Sequence, residues 1–245
     1  MRESIFKIID NTPLTQTVYK MKLQGDVSDI TSSGQFVNIK LDGLYLRRPI
    51  SVCDSEGDVL TLIYKVVGKG TEQMAKMSAG EELNILTGLG NGYDITLAGD
   101  KPLLLGGGVG VPPLYMLCKK LIAEGKKVSV VLGFNTKDEV FCEEDFKALG
   151  ADVFVTTVDG SYGIKGFVTD AMKGIDYSYF YTCGPEPMLK AIFKASATSG
   201  QFSFEERMGC GFGACMGCSC KTVTGYKRIC KDGPVLKKEE ILWAD

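Results

Sequence analysis

The chain has 245 residues, of which 44% are hydrophobic and 24% charged, and its formal net charge is −2. This composition is typical of a globular protein and gives no reason to expect nucleic acid or a membrane as a partner, since no apolar run reaches the roughly 20 residues of a spanning helix. The chain contains no histidine, which removes the commonest general base and indicates that its chemistry comes mainly from cofactors.

The first predicted segment, residues 1–99, has the pattern of an antiparallel β-barrel. Apolar and polar residues alternate, or run apolar, between Gly and Asp turns over residues 18–23, 35–41 and 59–67. One helix is predicted over residues 71–77, with Thr71 as its N-cap.

Two stretches of this segment favour a flavin site. Arg47 and Arg48 precede Pro49-Ile50-Ser51, and an arginine fork suits a pyrophosphate. Gly70 and Thr71 open the predicted helix, whose N-terminus can bind phosphate oxygens, and Ser51 is a candidate hydrogen-bond partner of the flavin ring. Taken singly, the arginines fit a solvated surface and Gly70-Thr71 fits a plain helix cap; together they indicate a flavin.

The second predicted segment, residues 100–204, has the pattern of a parallel α/β domain. Apolar runs at residues 102–105, 128–132, 153–157 and 179–182 alternate with helical stretches at 112–123, 143–149, 167–173 and 185–199. This alternation predicts a sheet wound with helices.

A glycine turn in this segment is a candidate nucleotide-phosphate site. The first strand runs into Gly106-Gly107-Gly108-Val109-Gly110, and Pro112 stands near the start of the next helix. Val111 occupies the place of the last glycine of the dinucleotide fingerprint, and the next strand ends at Asn135 without an acidic residue for a ribose hydroxyl. An ordinary dehydrogenase domain is therefore disfavoured, and a purely structural turn stays open.

Cys183, followed by Gly184 and Pro185, ends a predicted strand, where open α/β sheets bind ligands. A buried cysteine with no role in binding is the alternative.

The third predicted segment, residues 205–245, carries Cys210, Cys215, Cys218 and Cys230 in a C-x4-C-x2-C…C array. This spacing is typical of plant-type [2Fe–2S] ligation, whereas structural zinc usually uses two C-x2-C pairs. Cys220 is interpreted as a spare thiol, and the role of Trp243 stays open. The nine cysteines are an odd number, which suits thiols and metal ligands of a cytoplasmic protein better than a disulfide framework.

Four motifs taken in this order resemble the ferredoxin-NADP reductase superfamily: Arg48–Ser51, Gly70-Thr71, Gly106–Gly110 and Cys183–Pro185. With residues 205–210 and 226–234 added, the whole chain resembles the family of electron-transfer subunits of class 1B, NAD-dependent dihydroorotate dehydrogenases. The resemblance implies a multidomain α/β plus β fold: an FAD-binding barrel, a central NAD-binding α/β domain and a small C-terminal [2Fe–2S] domain.

The resemblance also implies which residues bind each group. Those implied for FAD are Arg48, Pro49, Ile50, Ser51, Ile63, Tyr64, Lys65, Gly70 and Thr71. Those implied for the nicotinamide nucleotide are Gly106, Gly107, Gly108, Gly110, Val111, Cys183, Gly184, Pro185 and Met188. Cys210, Cys215, Cys218 and Cys230 would ligate the cluster. Ser51 and Cys183 would position flavin and nicotinamide for hydride transfer, with no covalent catalysis.

The partner implied by the family is an FMN-containing catalytic subunit that oxidises dihydroorotate to orotate in pyrimidine synthesis, in a heterotetramer of two subunits of each kind. Electrons would pass between that FMN, the cluster, FAD and NAD. Two alternatives stay open: a related NAD(P)H reductase subunit for ferredoxin, sulfide or a hydrogenase, and a zinc-stapled binding module without enzyme activity.

Overall fold

The three-part architecture predicted from the sequence is confirmed by the structure, a computed structural model that describes residues 1–243. A closed antiparallel barrel is followed by a seven-stranded sheet with helices and by a small C-terminal unit. Residues 244 and 245, the end of the third predicted segment, lie outside the described residues. The segment boundaries after residues 99 and 204 stay predictions.

The barrel closes because its first strand pairs with both the second and the sixth. Its strands are β1 (Arg2–Pro13), β2 (Val18–Gln24), β3 (Phe36–Ile39), β4 (Arg48–Glu56), β5 (Val59–Lys65) and β6 (Glu82–Leu89). They are hydrogen-bonded in the order β1-β2-β5-β4-β3-β6. Alternate residues such as Met21, Val37, Leu62 and Ile85 point inward and fill the barrel core.

The helix after β5 begins earlier than the sequence predicted. It is α1 (Lys69–Ala75), Gly68 is its N-cap, and the prediction of Thr71 as N-cap is wrong. The Thr71 hydroxyl instead accepts hydrogen bonds from the backbone N–H groups of Val67 and Gly68 at 2.9 and 3.3 Å. A threonine in the first turn can reach back in this way, so the glycine is free to serve as the cap.

The second sheet is parallel over six strands. These are β7 (Pro102–Gly107), β8 (Ser129–Phe134), β9 (Asp152–Thr157), β10 (Ile164–Lys165), β11 (Tyr179–Cys183) and β12 (Gly200–Ser203), in the order β10-β9-β8-β7-β11-β12. β7 lies between β8 on one side and β11 on the other, so the strand order reverses at β7. The carboxyl ends of β7 and β11 therefore form the switch point where such sheets bind ligands.

Four helices flank this sheet: α2 (Tyr115–Ala123), α3 (Glu143–Ala148), α4 (Val168–Met172) and α5 (Glu186–Ala195). Short 3-10 turns occupy Ile95–Leu97, Gly108–Gly110, Pro112–Leu114, Lys137–Glu139 and Lys238–Glu240. No helix within residues 1–243 combines the length and the apolar character needed to cross a membrane.

The C-terminal unit contains β13 (Ser219–Thr222) and β14 (Gly225–Arg228), which pair antiparallel, and β15 (Val235–Lys237). The sequence predicted neither β12 nor β15. β15 pairs antiparallel with β12, with Val235 opposite Ser203, and becomes the edge of the nucleotide-type sheet. The unit therefore starts and ends on that sheet, and its Ile229 and Leu236 share an apolar core with Leu103 and Leu105 of β7.

Candidate electron-transfer site

The four predicted cluster ligands lie in two pairs. The side chains of Cys210 and Cys215 are hydrogen-bonding neighbours, and so are those of Cys218 and Cys230. Within residues 1–243, no three Cys, Asp or Glu side chains are grouped to hold a single metal ion. Two pairs of sulfurs can instead hold two bridged irons, each iron with two cysteine ligands.

Backbone amides donate hydrogen bonds to three of the four sulfurs. The Cys210 sulfur accepts from Ala214 N at 3.2 Å and Cys215 N at 3.4 Å, the Cys215 sulfur from Gly217 N at 3.5 Å, and the Cys218 sulfur from Cys230 N at 3.4 Å. Such bonds stabilise thiolates and tune the potential of a bound cluster.

Cys210 and Cys230, one from each pair, differ in the electrostatics of their surroundings. Burial raises the pKa of Cys210, but hydrogen bonds from the Cys215 and Phe212 backbone outweigh it and bring that pKa to about 6. Burial and the adjacent Cys218 side chain raise the pKa of Cys230 to about 12. Cys210 is therefore the readier of these two thiols to bind a cation, while Cys230 needs the charge of the metal itself to release its proton.

Cys220 belongs to neither pair. It lies on β13, half-buried, and lines a cleft of about 300 Å³ together with Trp243 and Leu236. Burial raises the pKa of its thiol, which is typical of an inert cysteine.

Trp243 covers a small aromatic core. Its ring centroid lies 5.1 Å from that of Phe193, 5.5 Å from that of Phe202 and 5.8 Å from that of Phe204. These contacts give it a packing role in the chain itself.

Arg228 is a residue that the sequence reasoning missed. Its guanidinium donates to the Gly213 carbonyl at 3.0 Å and pairs with Asp232, with Nε 3.0 Å from Oδ2. It thereby connects the glycine loop of the first ligands to the segment around Cys230. The sequence signal is its place two residues before the last cysteine, at the end of β14.

The candidate flavin residues converge at one end of the barrel. Arg48 packs over Gly70 so closely that a Cβ on this glycine would lie 2.3 Å from Arg48 Nε. Only glycine therefore allows the guanidinium to lie over the start of α1, where a positive charge and free amides face the same side. This pairing fits a phosphate-bearing cofactor.

The predicted arginine fork does not form, because Arg47 is engaged in the barrel. Its guanidinium donates to Glu3 Oε1 at 2.8 Å and to the carbonyls of Asn38 and Asn84 at 3.2 and 3.3 Å. Arg48 is left as the arginine of this pair that packs on Gly70 at the start of α1.

Other candidate flavin residues divide between surface and core. Pro49, Ile50, Ser51 and Lys65 are half-buried, as a residue beside a cofactor would be. Ile63 is buried between barrel and second sheet.

Tyr64 is a core residue. Its exposure is 2%, and its hydroxyl donates to Asn11 Oδ1 at 3.0 Å. Burial raises the pKa of its hydroxyl to about 12, so this side chain supports β5 from inside the barrel.

The two nucleotide motifs meet at the switch point. Gly106 and Cys183 are register partners on β7 and β11, and a Cβ on Gly110 would lie 2.3 Å from the Cys183 carbonyl oxygen. Gly107 approaches Met188 as closely, because a Cβ there would lie 2.4 Å from the Met188 sulfur. The Gly110 backbone therefore packs directly on that of Cys183, at the carboxyl ends of two strands where such sheets bind nucleotides.

The remaining nucleotide candidates line or support this crevice. Val111 is fully buried behind the turn and Pro185 is the N-cap of α5, with Gly184 between it and Cys183. Burial raises the pKa of Cys183 to about 12, so its thiol stays neutral and suits a positioning role and not nucleophilic attack.

An acidic residue does stand at the end of β8, although the sequence reasoning found none. Glu139 reaches back from the 3-10 turn and accepts hydrogen bonds from Asn135 N at 3.1 Å and Asn135 Nδ2 at 2.9 Å. Its position five residues beyond the end of β8 hid it, because the fingerprint places the acid at the strand end itself.

A flavin-type barrel, a nucleotide-binding sheet that it packs against, and a four-cysteine loop together define a reductase of the ferredoxin-NADP reductase type that carries an iron–sulfur unit. Comparison with known proteins agrees. Residues 205–242 match the iron-sulfur cluster binding domain of dihydroorotate dehydrogenase B, and residues 104–194 match the oxidoreductase NAD-binding domain.

Similar proteins cover nearly the whole chain. The electron transfer subunit of dihydroorotate dehydrogenase B (NAD(+)) from Fusobacterium nucleatum is 44% identical over 248 residues, 95% of each chain. The subunit of the same description from Bacillus pumilus is 44% identical over 255 residues, 98% of each chain. A solved NADH-dependent reduced ferredoxin-NADP oxidoreductase superposes with a TM-score of 0.88 at 30% identity, covering 97% of this chain and 90% of the other.

The chain belongs to the family of electron transfer subunits of NAD(+)-dependent dihydroorotate dehydrogenase B. It is an oxidoreductase subunit, and the resemblance found in its motifs is confirmed.

Proposed function

We propose that this chain carries electrons between NAD(H) and the FMN of a catalytic partner subunit that oxidises dihydroorotate to orotate. The observation that carries the proposal is the arrangement of four cysteines as two pairs, each with a sulfur that accepts hydrogen bonds from backbone amides. The loop that holds the first pair packs against the barrel. Cys210 and Cys215 would hold one iron of a [2Fe–2S] cluster, and Cys218 and Cys230 the other.

Arg48, Gly70 and Thr71 would hold the FAD pyrophosphate, since they place a guanidinium over a helix start. Ser51 would hydrogen-bond the flavin ring. Pro49, Ile50, Ile63 and Lys65 would line the ring and ribityl chain, while Tyr64 supports β5 from the core.

Gly106–Gly110 with Val111 would bind the nucleotide phosphates of NAD. Cys183, Gly184, Pro185 and Met188 would form the opposite wall and hold the nicotinamide.

When bound, FAD supplies hydride exchange with NAD and single-electron exchange with the cluster. The chain's own residues bind and orient these groups. Oxidation of dihydroorotate releases two electrons and two protons, of which NADH formation takes two electrons and one proton. The second proton is released to solvent, and abstraction of the proton from dihydroorotate would take place in the partner.

The partner would dock over the cluster loop. Phe212 and Met216 of this loop are 44% and 54% exposed, and apolar side chains beside a cluster suit a protein interface. We extend the proposal to a heterotetramer of two subunits of each kind. We also extend it to a cytoplasmic location, which is supported by the nine free cysteines within residues 1–243.

Reconstitution tests the proposal. The isolated chain, purified without oxygen, should contain iron, sulfide and FAD and should reduce dyes with NADH, but it should form no orotate. Adding the FMN subunit should couple dihydroorotate to NAD. The control is a Cys230→Ser chain, which should retain flavin but fail to couple.

Orotate formation by the isolated chain, or none by the pair, would contradict the proposal. A colourless chain that contains zinc would favour the binding module. Activity only with ferredoxin would favour the reductase alternative, to which the 30% identical oxidoreductase belongs.

A further inference from the structure

Asn38 is a polar residue in an otherwise apolar strand. It lies on β3 between Val37 and Ile39, both fully buried, and is itself only 1% exposed. Its register partner on β4 is Pro49, a candidate flavin residue. A buried amide costs stability unless it is hydrogen-bonded, so this position needs an explanation.

The Asn38 side chain makes its hydrogen bond to the cluster loop. Nδ2 donates to the carbonyl oxygen of Cys210 at 3.2 Å, across 172 positions of sequence. Oδ1 is buried and has no hydrogen-bond partner among residues 1–243. The barrel itself therefore gains no side-chain hydrogen bond from this amide among those residues.

The loop is shaped to bring Cys210 against this amide. The next residue, Gly211, has a φ of +79°, and a Cβ on it would lie 2.4 Å from Asn38 Nδ2. A side chain at this position would push loop and barrel apart.

A second contact holds the other end of the ligand set. Asn91, just after β6, donates from Nδ2 to the carbonyls of Lys231 and Asp232, both at 3.3 Å, and from its backbone to Gly233 at 2.7 Å. The segment after Cys230 thus stays attached to the barrel when Asn38 is changed, and only the first ligand loop is released.

We infer that Asn38 is a positioning residue that holds the Cys210 loop at a fixed distance from the flavin strand and so sets the rate of electron passage between flavin and cluster. This inference rests on the proposed function. Because the bond reaches the carbonyl oxygen and not a sulfur, its loss should change the position of the cluster more than its potential.

The test compares Asn38→Leu with Asn84→Leu. Asn84 is matched because it lies on the neighbouring strand β6, its carbonyl also accepts from Arg47, and its Oδ1 also has no partner among residues 1–243. Leucine has a similar volume and suits the apolar core, so the Asn38 variant should stay folded, which its melting temperature checks.

Each chain is mixed anaerobically with NADH, and flavin bleaching and the appearance of the cluster EPR signal are timed separately. In Asn38→Leu, flavin bleaching should keep its rate, while cluster reduction should slow several-fold, because the released loop no longer holds Cys210 at its distance from β3. The cluster midpoint potential, measured by EPR titration, should be unchanged. Asn84→Leu should match the parent in all three.

Unchanged cluster reduction in Asn38→Leu, or a slowing explained by a shifted potential, would overturn the inference. If this variant assembles no cluster, the same measurements on Gly211→Ala decide, since that change displaces the loop and leaves Asn38 in place. A parent chain without flavin or cluster would instead reject the proposed function.

Discussion

The backbone N–H of Cys230 donates to the sulfur of Cys218 across 3.4 Å, although the two residues are 12 positions apart. β13 and β14 run out and back between them, and Ile229 N donates to the Cys218 carbonyl at 3.1 Å. The strand pair therefore brings the last cysteine to the third, and Cys220 stays on the outgoing strand.

Cys230→Ser should abolish the visible absorption of the [2Fe–2S] cluster, while Cys220→Ser should largely preserve it. Only Cys230 pairs with Cys218, whereas Cys220 faces the cleft beside Trp243. Anaerobic spectra with iron and sulfide analysis measure both. Iron lost from the Cys220 variant and kept in the Cys230 variant would show that the fourth ligand is wrongly chosen.

Gly110→Ala should lower the rate of flavin reduction by NADH about a hundredfold, the cost of displacing a bound reactant by about an ångström. The new Cβ would meet the backbone of Cys183 and Gly184, which cannot move aside. Stopped-flow bleaching of the flavin measures the rate, and FAD content should be unchanged. Gly174→Ala is the control, because its Cβ would meet nothing closer than 3.9 Å; equal rates in the two variants would refute the nucleotide site.

NADH should be preferred to NADPH, because Glu139 places a carboxylate at the end of β8 where a 2′-phosphate would lie. Glu139→Gln should weaken the preference about fivefold, which corresponds to roughly 1 kcal/mol of repulsion between solvated charges. The ratio of kcat/KM for the two nucleotides with an artificial acceptor is the measurement. Asp138→Asn, in the same turn, should leave the ratio unchanged, and a parent chain that prefers NADPH tenfold would reverse the assignment.

Glu240→Gln should lower the melting temperature by about 2–4 °C at pH 7, as expected for a loss of about 1 kcal/mol in a chain of this size. Burial raises the pKa of Glu240, but its pairing with Lys227 and the hydrogen bond from Lys237 N outweigh that and hold the pKa below its usual 4.5. A lowered pKa stabilises the fold above the unfolded value and loses this effect as the pH falls through the folded value.

The difference between Glu240→Gln and the parent should therefore shrink as the pH falls below 4.5 and vanish once it lies below the lowered folded-state pKa of Glu240. Glu124→Gln, an exposed carboxylate at the end of α2, is the control and should differ from the parent at neither pH. A difference that persists at low pH would show that Glu240 acts through packing and not through its charge.

Sequence patterns predicted the elements that repeat a simple period. The runs around Val59 and Leu103 became β5 and β7 because each is apolar enough to be buried. The start of α1 was misplaced because Gly68 and Thr71 are both acceptable N-cap residues. The fold decides between them, since the Thr71 hydroxyl accepts a hydrogen bond from Val67 N and Gly68 is the N-cap.

Side-chain direction could not be predicted from adjacent residues. Arg47 and Arg48 are neighbours in sequence, yet only Arg48 reaches the start of α1, because consecutive residues point to opposite sides of a strand. Glu139 reaches back across a turn to Asn135, and Asn38 reaches from the barrel to Cys210. Contacts that depend on how distant segments fold together have no signature in a single sequence.

The pairing of β15 with β12 has a consequence for the form without metal. Because Ser203 and Val235 are neighbours in the sheet, everything between them is the elaborated tip of a single long hairpin, whose two stems belong to the nucleotide-binding sheet. The ends of this excursion are already held together, so most of the loop-closure entropy is lost before any iron arrives. Removing the iron should therefore loosen the tip alone, and the two stems should keep the empty chain ready to be refilled.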